Sequence, residues 1–111
     1  MKTLRIMAVL LALVLAGCGK PVPADKAAYV GEWREKTMYL LITQDGSVAY
    51  QRLKGGTTVS VNGPLQEFVG DSFNVGIGPM RTTFNVSKPP HQVNGRWKMV
   101  VDDVELTKTA E

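Results

Sequence analysis

The chain has 111 residues, including 13 Lys and Arg residues, 10 Asp and Glu residues, one His and one Cys. This length is enough for one domain and too short for two of ordinary size. A single histidine excludes a multi-histidine metal site, and a single cysteine excludes an intramolecular disulfide. A domain of this size must therefore be held together by its hydrophobic core alone.

The N-terminus has the layout of an export signal. Lys2 and Arg5 precede residues 6–15, which carry no charged or polar side chain. A positive start followed by a short apolar run predicts a secretory signal peptide over residues 1–17. A transmembrane helix is the alternative, but it needs about 20 apolar residues. Removing the signal leaves 11 basic residues against 10 acidic ones, which is no basic excess of the kind that favours nucleic-acid binding.

The apolar run ends at Leu15-Ala16-Gly17-Cys18. This tetrapeptide resembles the lipobox of bacterial lipoproteins. The resemblance implies cleavage after Gly17, diacylglycerol on the sulfur of Cys18 and a third acyl chain on its amine. Several acyl chains anchor durably, since each buried methylene contributes about 0.8 kcal/mol. Because Gly19 rather than Asp follows the cysteine, the resemblance also implies an outer-membrane location, with the domain facing the periplasm. An ordinary cysteine is the alternative, and it would leave a free thiol in an oxidising compartment.

A short linker is predicted to follow the cysteine. Pro21 and Pro23 favour extended polyproline geometry at about 3.1 Å per residue, and Asp25 is a candidate cap for one helical turn ending at Tyr29. The predicted organisation has four parts: a signal peptide at 1–17, a lipidated cysteine with a flexible tether at 18–28, a β domain at 29–108 and a tail at 109–111.

The β domain is predicted from alternating apolar and polar residues. Met38, Leu40 and Ile42, for example, lie on one face of a strand. About eight such segments recur roughly every ten residues, which is typical of a small antiparallel barrel or sandwich. An eight-stranded barrel encloses either side chains or one small ligand. The shortness of this chain favours a filled interior over a deep cup.

Turn and loop signals divide the predicted strands, and four of them carry specific predictions. Asp45-Gly46 predicts a type I′ hairpin, and Asn62-Gly63-Pro64 predicts a break between two strands. Residues 87–95 are predicted to form the longest loop, because Pro89-Pro90 cannot donate ladder hydrogen bonds. Asp102-Asp103 predicts the last hairpin turn, where aspartate at positive φ is less favourable than glycine.

A second resemblance lies at the start of the β domain. Gly31-Glu32-Trp33 is similar to the Gly-x-Trp element on the first strand of lipocalin-like proteins. The resemblance implies a small lipocalin-like barrel in which Trp33 closes one end.

Groups that support catalysis are scarce in the sequence. His91 is the only histidine, it follows two prolines, and no serine occupies a Gly-x-Ser-x-Gly motif. We therefore predict no enzyme activity, no cofactor and no metal site. The candidate ligand-binding or partner-binding residues are four aromatic side chains and two residues of the predicted loop: Trp33, Tyr50, Phe84, Trp97, Pro90 and His91. Core packing is the alternative role for the aromatic residues.

These predictions together favour a membrane-anchored envelope lipoprotein. It would act as a non-enzymatic binding module for an envelope partner or a small apolar ligand, and contact the membrane through the lipid on Cys18. One alternative is an inhibitor or accessory factor of a cell-wall or lipid-processing enzyme. Another is a structural spacer.

Overall fold

The computed structural model describes residues 19–109. Cys18 and the predicted signal peptide lie outside this range, so both stay predictions. The described chain contains a 3-10 helix at Ala24–Tyr29 and nine strands: β1 Gly31–Arg34, β2 Met38–Ile42, β3 Ser47–Lys54, β4 Thr57–Val69, β5 Ser72–Ile77, β6 Met80–Phe84, β7 Val86–Val93, β8 Arg96–Val101 and β9 Val104–Lys108. The prediction of a small all-β fold is confirmed.

The strands form one antiparallel sheet that curls into a half-barrel, in the order β6-β5-β4-β3-β2-β1-β9-β8-β7. Every paired neighbour is also a neighbour in the chain except β1 and β9, which pair through Trp33 with Lys108 and Arg34 with Thr107. The sheet is therefore an up-and-down meander whose first and last strands meet. Its two edges are β6 and β7, and only Asn85 separates them in the chain.

The interior of the curled sheet is filled by side chains. Phe84 stacks on Phe73 with ring centroids 5.2 Å apart and meets the edge of Tyr50 at 4.8 Å. Burying one such side chain contributes about 1.5–3 kcal/mol, so this core supports the domain without a disulfide. The largest fully buried residues are Trp33, Phe73, Phe84, Leu40, Ile42, Met99, Leu106, Val75 and Val101.

The hairpin at Asp45-Gly46 is present, but its predicted turn type is wrong. Only Gly46 has positive φ, at 91°. Gly46 N donates to Thr43 O at 3.1 Å, and Thr43 N donates to Ser47 O at 2.9 Å. This pattern describes a type I turn followed by a left-handed glycine. The Thr43 hydroxyl, which accepts from Ser47 N at 3.0 Å, stabilises the longer loop.

The predicted break at Asn62-Gly63-Pro64 is also wrong, because β4 runs through it without interruption. Pro64 lies opposite Ser47 at the beginning of β3, and the next residue, Leu65, pairs with Val75 of β5. The proline therefore falls where β4 exchanges one partner strand for the next. A missing ladder donor is tolerated at such a position.

The predicted loop at 87–95 is wrong as well, because most of it belongs to β7. Pro89-Pro90 fits into this strand for two reasons: β7 is an edge of the sheet, and its register shifts between Lys88 and His91. Asn94-Gly95 then makes the turn into β8 with φ of 52° and 80°. Both values are those that a type I′ hairpin requires.

The segment between Gly19 and the 3-10 helix lies against the sheet. Lys20 N donates to Leu65 O at 3.3 Å, and Val22 N donates to Gln44 O at 3.0 Å. Val22 is buried in the core. The predicted helical turn ending at Tyr29 is present, but Asp25 does not cap it, because the N-cap position is Pro23. The chain therefore packs against the sheet from Gly19 onward.

Candidate functional site

Three of the six candidate binding residues belong to the core. Trp33, Tyr50 and Phe84 are buried, so their aromatic rings stabilise the fold. The indole Nε1 of Trp33 donates to the carbonyl of Tyr29 at 2.9 Å. Through this hydrogen bond, Trp33 of β1 holds the end of the 3-10 helix against the sheet.

The other three candidates lie on the β7–β8 hairpin. Trp97, Pro90 and His91 are half-buried, and Trp97 is paired with Gln92 across the hairpin. Nδ1 of His91 lies 2.8 Å from the carbonyl of Pro89. Within residues 19–109, no carboxylate or nucleophilic side chain is hydrogen-bonded to His91.

A groove of about 480 Å³ opens beside Trp97 where β1, β8 and β9 meet. We call it the Trp97 groove. It combines an indole with three cationic side chains and two hydroxyls. Its lining consists of Arg34, Gly95, Arg96, Trp97, Thr107, Lys108 and Thr109.

The pairing of the first strand, β1, with the last strand, β9, positions the residues on one wall of this groove. Lys108 lies opposite Trp33 of β1, and the β8–β9 register places it beside Trp97. Its Nζ lies 5.0 Å from the ring centroid of Trp33 and 5.4 Å from that of Trp97. The same Nζ donates to Ala28 O at 2.8 Å. Contacts with two indoles and a carbonyl hold the ammonium group in place.

Glu32 is an acidic residue that is hydrogen-bonded to two residues of the groove lining, Arg34 and Thr109. Its carboxylate accepts from Arg34 Nε at 3.3 Å, from Thr109 Oγ1 at 3.0 Å and from Tyr39 Oη at 3.0 Å. The bonds from Arg34, then Thr109, then Tyr39 hold the pKa of Glu32 below its ordinary value. Glu32 therefore stays ionised near neutral pH and compensates the charge of Arg34.

Arg96 is different, because it is exposed and forms no ion pair with any described carboxylate. Arg96 and Trp97 are consecutive residues of β8, and both line the groove. A guanidinium binds carboxylates and phosphates through parallel hydrogen bonds. The Trp97 groove can therefore bind an anionic group and an adjoining apolar surface at the same time.

The functional groups that line the groove are cationic side chains, hydroxyls and an indole. Its lining contains no histidine, cysteine or carboxylate. In the described range 19–109, no group of three or more His, Cys, Asp or Glu side chains could hold a metal ion. Arg34, Arg96 and Lys108 were missed by sequence reasoning. They come together only through the pairing of β1 with β9, which no local pattern indicates.

Comparison with known protein families, with curated proteins and with solved structures finds no match to this chain. In the part of the chain that the structure describes, no helix is long and apolar enough to cross a bilayer. What the protein does must therefore be argued from its own residues.

Proposed function

We propose that the protein is a lipid-anchored, non-enzymatic binding module of the bacterial cell envelope. The signal at residues 1–17 directs export, and acylation of Cys18 attaches the domain to the outer membrane on its periplasmic side. The support for this anchor is the lipobox resemblance of Leu15-Ala16-Gly17-Cys18. A single folded domain that begins next to the cysteine is compatible with such an attachment.

The same proposal assigns binding to the Trp97 groove and an anionic segment of an envelope partner as its occupant. The observation that carries it is the combination, in one groove, of exposed Arg96, which pairs with no carboxylate of residues 19–109, and the half-buried indole of Trp97. Arginine and tryptophan are the residues that most often dominate binding energy at protein interfaces. A small apolar ligand is the weaker candidate, because aromatic and aliphatic side chains fill the described interior.

Site-specific photo-crosslinking in cells tests this assignment. A photoreactive residue replaces Val93, which is exposed and pairs with Arg96. The control position is Leu53, which is exposed on the β3–β4 hairpin. We expect one discrete crosslinked partner from position 93 and none from position 53. Arg96→Glu should abolish that crosslink, whereas Lys36→Glu, at another exposed basic residue, should leave it intact.

The result also separates the alternative functions. A crosslinked enzyme of cell-wall or lipid metabolism would indicate an inhibitor or accessory factor that uses the same groove. The absence of any crosslink from position 93 would favour a structural spacer. A crosslink that survives Arg96→Glu would contradict the assignment of the anionic segment to this groove.

A further inference from the structure

A second groove, of about 490 Å³, lies between β4, the β5–β6 hairpin and the first described residues. It shares no lining residue with the Trp97 groove. We call it the hairpin groove. Its lining consists of Gly19, Lys20, Pro64, Leu65, Gln66, Glu67, Gly76, Ile77, Gly78 and Arg81.

The turn beside this groove carries the two most exposed large hydrophobic side chains in the described range. Ile77 is 75% exposed and Met80 is 80% exposed. They pair across the ends of β5 and β6, with Gly78 and Pro79 between them. Two neighbouring apolar side chains at the tip of a hairpin form a surface that favours an apolar environment.

The backbone fixes the shape of this tip. Gln66 Nε2 donates to the carbonyl of Gly76 at 3.0 Å and to that of Gly78 at 3.2 Å. Gly76 has φ of 142°, and a Cβ atom placed on it would lie 2.1 Å from Met80 O. Close approach of β6 to β5 thus depends on that glycine. The tip presents Ile77 and Met80 on a preformed hairpin.

The predicted lipid attachment site adjoins the same tip. Gly19 lines the hairpin groove together with Ile77, and Gly19 is bonded directly to Cys18. The hydrogen bond from Lys20 N to Leu65 O holds this part of the chain against β4. Acyl chains on Cys18 would therefore be attached one residue before a residue that shares this groove with Ile77.

The charges around the tip suit a lipid surface. Lys20 is exposed and Arg81 has a 46% exposed side chain, and both line the groove. Arg81 is 3.8 Å from the carboxylate of Glu67, whose side chain is 52% exposed. An ion pair this open to water is weak, so Arg81 can also contact lipid headgroups. Apolar tips flanked by cations bind bilayer interfaces, particularly those with anionic lipids.

We propose that the β5–β6 turn is a membrane-docking element that inserts Ile77 and Met80 into the bilayer interface beside the acyl chains of Cys18. Insertion to a depth of about 5–10 Å is usual for such apolar surfaces. The domain then rests on the membrane in one orientation, held by the lipid and by the hairpin. This inference rests on the proposed acylation of Cys18 and commits to a lipid bilayer as the occupant.

Paramagnetic relaxation in nanodiscs tests the insertion. The full mature, acylated protein is incorporated into nanodiscs of phosphatidylethanolamine and phosphatidylglycerol that contain a lipid spin-labelled near its headgroup. We expect the methyl groups of Ile77 and Met80 to relax several-fold faster than those of Val69, which is 61% exposed. Val69 pairs with Ser72 at the other end of β5, about 17 Å from the tip at 3.3–3.4 Å per residue.

A pair of matched variants sharpens the result. Ile77→Ser should reduce the relaxation of the Met80 methyl group, because a polar tip withdraws from the interface. Val69→Ser removes an exposed apolar side chain elsewhere and should leave the Met80 methyl group unchanged. Both positions are exposed, so neither variant should unfold the domain.

Three results would overturn the inference. Equal relaxation of the Ile77 and Val69 methyl groups in anchored protein would exclude insertion and leave the anchor standing. Failure of the mature protein to associate with nanodiscs would remove the anchor and the insertion together. Concentration-dependent broadening of the Ile77 and Met80 signals without spin label would identify a second copy of the chain as the occupant.

Discussion

Tyr29 connects the 3-10 helix to the β4–β5 hairpin. It is buried, its hydroxyl donates to Asp71 O at 2.8 Å, and its ring meets the edge of Phe68 with centroids 4.9 Å apart. Burial, and secondly the charge of Asp71, raise the pKa of Tyr29 from 10.0 to about 12. The folded state therefore resists ionisation of this phenol.

This shift predicts alkaline destabilisation. A raised pKa means that the contribution of Tyr29 to stability is complete below pH 10.0 and is lost as the pH rises to about 12. The free energy of unfolding, measured by urea denaturation across this range, should fall in the wild-type protein. Tyr29→Phe has no ionisable group and should show a shallower fall. An identical pH dependence in both proteins would contradict the role of Tyr29.

The two aspartates of the β8–β9 turn make a second comparison between single residues. Both have positive φ, 47° at Asp102 and 67° at Asp103. The carboxylate of Asp102 accepts from Asn85 N at 2.9 Å, and Asp102 N donates to Asn85 O at 2.8 Å. Asp102 thus holds Asn85, the residue between β6 and β7, in place. Asp103 is exposed.

Glycine substitution should separate these two roles. Asp103→Gly should leave the free energy of unfolding unchanged or raise it by up to about 1 kcal/mol, because glycine adopts positive φ without strain. Asp102→Gly gains the same relief but loses a charge-assisted hydrogen bond, so it should destabilise the domain by about 1 kcal/mol. Thermal unfolding of both variants measures the difference. A destabilised Asp103→Gly variant would count against the turn geometry.

At the scale of strands and segments, Gly46 controls how the N-terminal segment docks. A Cβ atom on Gly46 would lie 2.1 Å from Lys20 O, and φ there is 91°. The segment from Gly19 to Val22 can therefore reach β4 only because residue 46 has no side chain. Gly55, in the β3–β4 turn, also has positive φ, at 59°, but a Cβ atom there would meet nothing within 4 Å.

Alanine at these two positions should have unequal effects. Gly55→Ala should cost only the left-handed backbone strain, roughly 1–2 kcal/mol. Gly46→Ala should cost more, because it also displaces the chain at Lys20. Hydrogen exchange should show the Lys20 and Val22 amides losing protection in Gly46→Ala alone. Equal protection in the two variants would mean that the segment docks independently of Gly46.

The strands also show which features of the sheet can be predicted from sequence patterns and which cannot. The alternation of Met38, Leu40 and Ile42 predicted β2 because every second residue of this strand is buried in the core. The same logic failed for β7, where an edge position and a register shift accommodate Pro89-Pro90. It also failed at Pro64, where β4 changes partners. Local signals do not state whether a proline falls on an edge or in the middle of a sheet.

The candidate site was less accessible to sequence reasoning than the fold. Trp97 was predicted as a binding residue, and it lines a groove. Arg34 and Lys108 lie far apart in the chain and meet only because β1 pairs with β9. The exposure of Ile77 and Met80 could not be predicted from the sequence either. Alternation along a strand predicts which face of the sheet a residue lies on, but it does not predict whether other side chains cover that face.

At the scale of the whole molecule, the proposed anchoring, docking and binding roles fall on different parts of the chain. The proposed anchor is Cys18, the proposed docking element is the β5–β6 turn, and the proposed partner site is the Trp97 groove. Because Arg96, Ile77 and Met80 are exposed, substitutions of these three side chains should leave the fold intact.

Cys18→Ala tests the anchor directly. Without acylation, the exported protein should move from the membrane fraction to the soluble periplasmic fraction, because a few interfacial side chains bind far more weakly than several acyl chains. Cell fractionation with fatty-acid labelling measures this change. Ser87→Ala, at an exposed position on β7, provides a matched control that should stay labelled and membrane-bound. Retention of unlabelled Cys18→Ala protein in the membrane would contradict the anchor.

The meeting of the first and last strands has a consequence for how the chain acquires its structure. Most strand pairs form hairpins between sequence neighbours, and such local contacts close quickly. The seam of Trp33 with Lys108 and Arg34 with Thr107 must instead close a loop that spans most of the domain. We therefore expect closure of this seam to be the late, rate-limiting step of folding, after the hairpins between sequence neighbours have formed.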